Sequence, residues 1–297
     1  MARPSNQPPT PSMVGKTCVV TGATSGVGEA TAEALARAGA SVVLISRSRQ
    51  KCEDTAARIR AATGNPDVRF LTADLSVQAE VRRVAAELLA TAPRIDVLVN
   101  NAGAMFERRQ ESADGIEMTW ALNHLAYFLL TNLLIDRLKA SATARVVNVA
   151  SDAHRPISGI DWDDVEGKAR YRVLHAYMQS KLANILFTRE LARRLEGSGV
   201  TANALHPGFV WTSIFENKGW VGFAFKLAAR VFSITPEAGA SNSVYLATSP
   251  DVAGVSGRYF EKCKEAKASR ATRDAQAAER VWALSERMTG LADATPA

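Results

Sequence analysis

TCVVTGATSGVGEATA, residues 17–32, joins an apolar, β-branched run to three glycines and then to a helical pattern. Gly22, Gly26 and Gly28 lie where the predicted strand ends and the helix begins. Glycine has no Cβ, so the chain can turn tightly and its backbone can approach a ligand closely. The helix N-terminus also presents free amides to an anion such as a pyrophosphate. A tight turn without a ligand is the other interpretation, but three glycines in the first strand–helix unit favour a dinucleotide site.

The rest of the chain repeats this alternation of short apolar runs and longer helical patterns. Nearly continuous apolar strands are typical of a parallel sheet covered by helices on both faces. We therefore predict one doubly wound α/β domain over 14–290, between a disordered leader (1–13) and a disordered tail (291–297). The sheet is expected to have about seven strands, flanked by helices. Predicted strands are 17–21, 41–46, 68–73, 95–100, 145–150, 200–206 and 258–260; predicted helices are 27–38, 49–62, 77–90, 114–140, 174–195, 236–248 and 274–288.

Composition excludes several classes of protein. With 47% hydrophobic and 22% charged residues among 297, the chain is that of an ordinary globular protein rather than a disordered or fibrous one. Three scattered cysteines do not form a disulfide framework, and the four histidines lack metal-ligand spacing, so we expect no metal. No apolar run reaches the roughly 18 residues of a membrane helix. We expect a cytoplasmic protein, and the alanine- and arginine-rich composition favours a bacterial source.

The net charge of +6 fits either a solvated, arginine-rich surface or an anionic partner. Nucleic acid is not expected, because no dense basic stripe with interleaved aromatic residues is present. A phosphorylated cofactor fits better, since the second strand ends in Ser46 and Arg47, with Arg49 and Lys51 close by. An acidic residue there would repel a ribose 2′-phosphate, whereas a guanidinium pairs with it. This favours NADP(H) over NAD(H); a solvated charge cluster at a helix start is the alternative.

Polar or turn residues follow four further strands: Asp74 and Leu75, Asn100 to Gly103, Ser151, and Pro207 with Gly208. The carboxyl ends of parallel strands meet at one sheet edge, where such folds bind ligands. Tyr177 and Lys181 share a helix face at i and i+4. A neighbouring ammonium favours phenolate and brings the phenol toward acid–base chemistry. Without the other motifs, the spacing of Tyr177 and Lys181 fits an exposed amphipathic pair as well as a catalytic one.

Taken together, these motifs resemble the short-chain dehydrogenase/reductase family, and in particular its retinol dehydrogenase-like branch. The glycine spacing G-x-x-x-G-x-G, the NNAG segment and the run YMQSKLANILFTRELARRL carry the resemblance, which covers about residues 14 to 262. It implies a Rossmann fold that binds NADP(H). The implied cofactor-binding residues are Gly22, Thr24, Ser25, Gly26, Val27, Gly28, Ser46, Arg47, Asp74, Leu75, Asn101, Ala102, Gly103, Tyr177, Lys181, Pro207, Gly208, Val210 and Thr212.

The resemblance also implies catalytic roles. Tyr177 would be the general acid in carbonyl reduction and the base in alcohol oxidation, with a pKa lowered by Lys181. Ser151 would hydrogen-bond the substrate oxygen, and Asn123 would support a proton relay through water. Asp74 would meet the adenine ring, while Asn101 and the turn at Pro207 and Gly208 would hold the nicotinamide half. Two departures are that Ala126 and Tyr127 replace the branch's usual Gly-His, and that residues 1–13 hold no hydrophobic anchor of the kind found in many vertebrate members.

The predicted function is an oxidoreductase that moves hydride between NADP(H) and a carbonyl or alcohol, with a retinoid-, steroid- or fatty-type substrate. The aromatic segment 211–234 is expected to form a substrate lid around 209–235; a core helix, or an interfacial helix over 219–234 that contacts a membrane, are the alternatives. The resemblance implies a dimer or tetramer through the long helices, or a monomer or membrane-associated form as in the retinol-type branch. The competing functions are a catalytically silent, cofactor-binding scaffold and a nucleic-acid binder. No G-x-S-x-G or P-loop motif occurs, so hydrolase and NTPase chemistry is not expected.

Overall fold

The computed structural model describes residues 10–208 and 234–291. Within them, eight strands build a single sheet. The strands are β1 (Thr17–Thr21), β2 (Ser41–Ser46), β3 (Val68–Thr72), β4 (Val97–Asn100), β5 (Arg145–Val149), β6 (Thr201–His206), β7 (Tyr259–Glu261) and β8 (Lys264–Glu265), in the spatial order β3-β2-β1-β4-β5-β6-β7-β8. All neighbouring pairs are parallel except β7 with β8.

The helices cover both faces of this sheet. They are α1 (Gly26–Arg37), α2 (Arg49–Thr63), α3 (Gln78–Thr91), α4 (Met118–Trp120), α5 (Ala126–Leu133), α6 (Ile135–Ala140), α7 (Val173–Arg194), α8 (Pro236–Thr248) and α9 (Ala275–Thr289), with a π-helical turn at Ala121–Leu125. Alternate residues of β1 enter different cores: Val20 packs with side chains of α1, α2 and α8, and Val19 with side chains of α3 and α5. The doubly wound fold predicted from the sequence is thus confirmed.

The strand order creates the crevice that holds the site. β1 pairs with β2 on one side and with β4 on the other. The strands that follow β1 are therefore added first at one side of the sheet and then at the other, and the strand order reverses between β1 and β4. In open parallel sheets, ligands bind at such a reversal, outside the carboxyl ends of the strands. The glycine turn after β1 and the NNAG segment after β4 lie on the two sides of this point.

The number of strands differs from the prediction of about seven. The eighth strand is only two residues long and follows a turn in which Lys262 and Cys263 both have positive φ, at 51° and 58°. Two positive φ values in a row are the geometry of a two-residue hairpin turn. Neither residue is one of the usual Asn or Gly, and Lys264–Glu265 has no apolar pattern, so the sequence carries no signal for β8.

The prediction of a single helix over 114–140 is wrong. In this segment the helix begins only at α4, after Gly115, which has a φ of +74°. The helix then widens to a π turn before α5 begins. The carboxylate of Glu117 caps this start by accepting hydrogen bonds from the amides of Thr119 and Trp120, both at 2.8 Å. A break at Leu134 then separates α5 from α6.

The lid prediction and its membrane-contacting alternative over 219–234 fall almost entirely outside the described residues, as do Val210 and Thr212. Over the ranges 10–208 and 234–291, none of the helices combines the length and the apolar character that a membrane span requires.

Candidate active site

A cavity of about 630 Å³ lies along the carboxyl edge of the sheet. It brings together most of the residues predicted from the sequence. Those that line it are Gly22, Thr24, Ser25, Val27, Gly28, Ser46, Arg47, Asp74, Leu75, Asn101, Ala102, Gly103, Ser151, Tyr177, Lys181, Pro207 and Gly208. Gly26 lies in the turn at the start of α1 without lining the cavity, and Asn123 lies behind the cavity wall.

The glycine turn is built for close backbone approach. A Cβ on Gly28 would lie 2.3 Å from both the Gly22 oxygen and the Asn101 side-chain nitrogen, so no larger residue fits. The Asn101 amide donates hydrogen bonds to the oxygens of Thr21 (2.9 Å) and Gly22 (3.2 Å). Asn101 therefore ties the turn after β1 to the end of β4. Its predicted contact with the nicotinamide half stays a prediction.

One end of the cavity carries two cationic side chains. The guanidinium of Arg47 and the ammonium of Lys51 line it and form no ion pair with any described residue. Arg49 is instead paired with Glu53 at 2.8 Å and does not line the cavity. Ser46, at the end of β2, shares a hydrogen bond of 3.0 Å with Thr24 from the glycine turn. This end is uncharged at Ser46 and cationic beside it, which suits a phosphate.

The opposite end holds Tyr177, Ser151 and Lys181. The Lys181 Nζ lies 5.6 Å from the centre of the Tyr177 ring and donates to the Val149 oxygen at 3.0 Å. Lys181 is only 3% exposed. Helical spacing on α7 places both side chains on the face toward the cavity.

Burial sets the protonation of this pair. It raises the pKa of Tyr177 to about 12, while a hydrogen bond with Ser151 acts in the opposite direction. It lowers the pKa of Lys181 to about 7, because removing an ammonium from water disfavours the charged form. Both groups are thus driven toward their neutral forms. This is opposite to the lowered phenol pKa that the sequence predicted, since desolvation of the phenol outweighs the hydrogen bond with Ser151.

The Asn123 side chain, in the π turn, hydrogen-bonds to Ala104 and to Ser180. Its side-chain oxygen accepts from the Ala104 amide at 2.9 Å, and its nitrogen donates to the Ala104 oxygen (3.0 Å) and to Ser180 Oγ (3.1 Å). A Cβ on Gly103 would come within 3.2 Å of the Asn123 oxygen and 3.5 Å of Lys181 Nζ, so glycine allows the NNAG segment to pack here. The side chain of Asn123 joins the NNAG segment to α7; its role in a proton relay remains a prediction.

Several residues of the site were not predicted from the sequence. Apolar side chains also line the cavity; they are Met105, Phe106, Leu122, Ala153, Leu174 and Met178. Their sequence pattern does not differ from that of core residues. Beside Ser151, the amide of Asp152 donates to His206 at 3.4 Å, and His154 shares a hydrogen bond of 2.6 Å with the Ser151 oxygen. Both histidines thus make local hydrogen bonds beside Ser151.

Comparison with known proteins agrees with this geometry. Residues 16–219 match the short chain dehydrogenase family. The chain is 44% identical to human retinol dehydrogenase 13 in an alignment of 284 positions that covers 93% of this chain and 85% of the relative. It is also 44% identical to mouse retinol dehydrogenase 14 over 294 residues, with 94% and 87% covered.

Two solved structures extend the likeness to three dimensions. An uncharacterized protein from Mycobacterium paratuberculosis has a TM-score of 0.76 and 35% identity, covering 95% of this chain and 96% of the other. The Pseudomonas aeruginosa RhlG/NADP active-site complex has a TM-score of 0.69 and 30% identity, covering 86% and 97%. Fold, site and relatives agree, and the chain therefore belongs to the short-chain dehydrogenase family as a retinol dehydrogenase-like oxidoreductase.

Proposed function

We propose that this protein is an NADP(H)-dependent oxidoreductase that interconverts a lipophilic carbonyl compound and its alcohol. The observation that carries the proposal is the shared cavity. It holds a glycine turn with no room for a side chain, two cations beside Ser46 that have no ion-pair partner in the described part of the chain, and Tyr177 with Ser151 and Lys181 at the other end. A binding site and a proton donor thus lie in one continuous space.

The residues present fit a dinucleotide phosphate. The amides at the N-terminus of α1 would face the pyrophosphate. Arg47 and Lys51 would pair with the ribose 2′-phosphate, and Asp74 with Leu75 would lie near the adenine. When bound, the nicotinamide supplies the hydride in reduction and accepts it in oxidation.

The chain's own residues would manage the proton. Because burial raises the pKa of Tyr177 to about 12, the phenol holds its proton at neutral pH, which is the form needed for an acid. In reduction, Tyr177 would donate that proton to the carbonyl oxygen, and Ser151 would hydrogen-bond the same oxygen. The phenolate that remains would favour the protonated form of Lys181, and this ammonium would in turn stabilise the phenolate. Oxidation of the alcohol is the same step reversed, with Tyr177 as the base.

The substrate class is inferred from the cavity wall near Tyr177, where Phe106, Leu174 and Met178 are apolar. Such a wall favours a long hydrocarbon chain, at about 0.8 kcal/mol per buried methylene, or roughly fourfold in affinity. Retinoid-, steroid- and fatty-type carbonyls satisfy this chemistry. The retinol dehydrogenase names of the relatives point in the same direction.

The test is a screen for NADPH and NADH oxidation across aldehydes of increasing chain length, followed by nicotinamide absorbance. We expect turnover with NADPH and a kcat/KM that rises with length. Phe106→Ala should flatten that rise, and a short aldehyde on the same variant is the control. A flat length profile in the unmodified enzyme would remove the lipophilic substrate. Tight NADPH binding without turnover on any carbonyl or alcohol would favour the silent scaffold instead.

We further propose that the protein resides in the cytoplasm and that it contacts a membrane peripherally. Flotation of the purified protein with phospholipid vesicles tests the second; recovery only at the bottom of the gradient would reject it.

A further inference from the structure

A buried polar chain runs behind the site, from α9 to α7. Ser285 Oγ on α9 lies 2.8 Å from His124 Nε2, and His124 Nδ1 lies 3.2 Å from Asn184 Oδ1. The Asn184 amide donates to the Asn123 backbone oxygen at 2.9 Å. The Asn123 side chain then donates to Ser180 Oγ, which donates to the Tyr177 backbone oxygen at 2.8 Å. Every side chain between α9 and Tyr177 in this chain is fully buried.

Both ring nitrogens of His124 have a buried polar partner. The Asn184 amide nitrogen faces the Asn123 oxygen, so its carbonyl oxygen must face His124 Nδ1, where it favours a proton. On the other side of the ring, the Ser285 hydroxyl donates to the Val281 backbone oxygen at 2.7 Å, so its oxygen is left to accept from His124 Nε2. Burial lowers the pKa of His124 to about 4, so the ring stays neutral at ordinary pH and the two partners compete for its single proton.

The ring of His124 also packs between Trp120, with centroids 4.7 Å apart, and Phe187, at 6.2 Å. Packing alone would require a flat ring of this size but not its nitrogen atoms. The two buried polar partners, one at each ring nitrogen, are the feature that packing leaves unexplained.

We propose that Ser285, His124 and Asn184 are positioning residues, which hold the π turn so that Asn123 keeps the NNAG segment and the backbone of Tyr177 in place for proton transfer. The proposal rests on the proposed function. It assigns a role at the site to α9, which lies beyond the part of the chain that matches the family, residues 16–219. π turns occur frequently at functional sites, where they redirect side chains.

The test compares two hydroxyl deletions one turn apart on α9. Ser285→Ala removes the hydroxyl that pairs with His124 Nε2 and that also donates to the α9 oxygen of Val281. Thr289→Val is the matched control, because Thr289 is equally buried and, among the described residues, its hydroxyl bonds only to the α9 oxygens of Ser285 and Glu286. Two readouts are measured with the full-length protein: steady-state kinetics with NADPH and an aldehyde, and backbone hydrogen exchange of peptides that include the Ala104 amide. NADPH affinity and thermal unfolding are measured alongside.

In Ser285→Ala we expect kcat to fall about fivefold and the Ala104 amide to exchange about fivefold faster, the effect of one lost hydrogen bond. The KM for NADPH should not change, and Thr289→Val should stay within about twofold of wild type on both readouts. Equal effects of the two variants, or no effect of Ser285→Ala on either readout, would overturn the proposal. If Ser285→Ala does not fold, Ser285→Cys, whose thiol is a weaker hydrogen-bonding group, should shift both readouts in the same direction. If the wild type turns over no substrate, the proposed function fails, whereas the exchange comparison still decides the positioning role.

Discussion

Arg47→Ala should weaken NADPH binding while leaving NADH binding nearly unchanged. Arg47 lines the cavity beside Ser46, is exposed, and forms no ion pair with a described residue, so its guanidinium has no competing carboxylate. A hydrogen bond to a charged group contributes about 1.5–3 kcal/mol, and exposure to solvent favours the low end of that range. We therefore expect about a tenfold rise in the Kd for NADPH. Lys51 still faces the phosphate, so Arg47→Ala with Lys51→Ala should raise it about 100-fold.

Arg49→Ala is the matched control. It removes the same charge two residues along the chain, but that guanidinium is already paired with Glu53 and lies outside the cavity. The Kd for each nucleotide is measured by fluorescence titration at fixed ionic strength. The NADPH-to-NADH ratio should drop for Arg47→Ala alone. An equal loss in Arg49→Ala would mean that only net charge matters. A wild-type preference for NADH would refute the 2′-phosphate site altogether.

Two further predictions concern buried groups. Without added nucleotide, the free energy of unfolding should rise from about pH 7 to about pH 10. Burial lowers the pKa of Lys181 to about 7 in the folded protein, whereas its pKa in the unfolded chain is about 10.4. The unfolded chain therefore binds more protons in this pH window, and stability rises with pH. Lys181→Met should flatten this rise in denaturant titrations; an identical slope would contradict the low pKa. The buried hydroxyl of Tyr127 finds no hydrogen-bond partner among the described residues. Tyr127→Phe should thus stabilise the protein by about 1 kcal/mol in thermal unfolding, and a loss of stability would show that the hydroxyl is satisfied.

Elements with a strong local signal were predictable from the sequence. β1, β2 and α8 have the predicted bounds, because buried parallel strands are continuous apolar runs and because Thr235 with Pro236 is a typical helix start. The site residues on α7 were also predictable from local sequence, because positions i and i+4 share a helix face in any tertiary structure.

Features that depend on packing were not predictable. In the π turn at Ala121–Leu125, the side chain of Asn123 bonds to Ala104 and Ser180, which are distant in the sequence, so no local pattern reports these contacts. The direction of the Tyr177 pKa shift depends on how deeply the phenol is buried, which spacing does not report. Phe106 likewise has the sequence signature of a core residue and yet lines the cavity.

Turnover of Tyr177→Phe tests the proposed chemistry most directly. The variant keeps the ring and removes only the proton that Tyr177 is proposed to donate. With saturating NADPH and an aldehyde identified in the screen, kcat should fall at least about 100-fold, the lower range for positioned acid–base catalysis. The Kd for NADPH should not change, and Tyr245→Phe, on α8 and outside the cavity, should retain wild-type turnover. Near-wild-type turnover in Tyr177→Phe would show that another group supplies the proton and would contradict the mechanism.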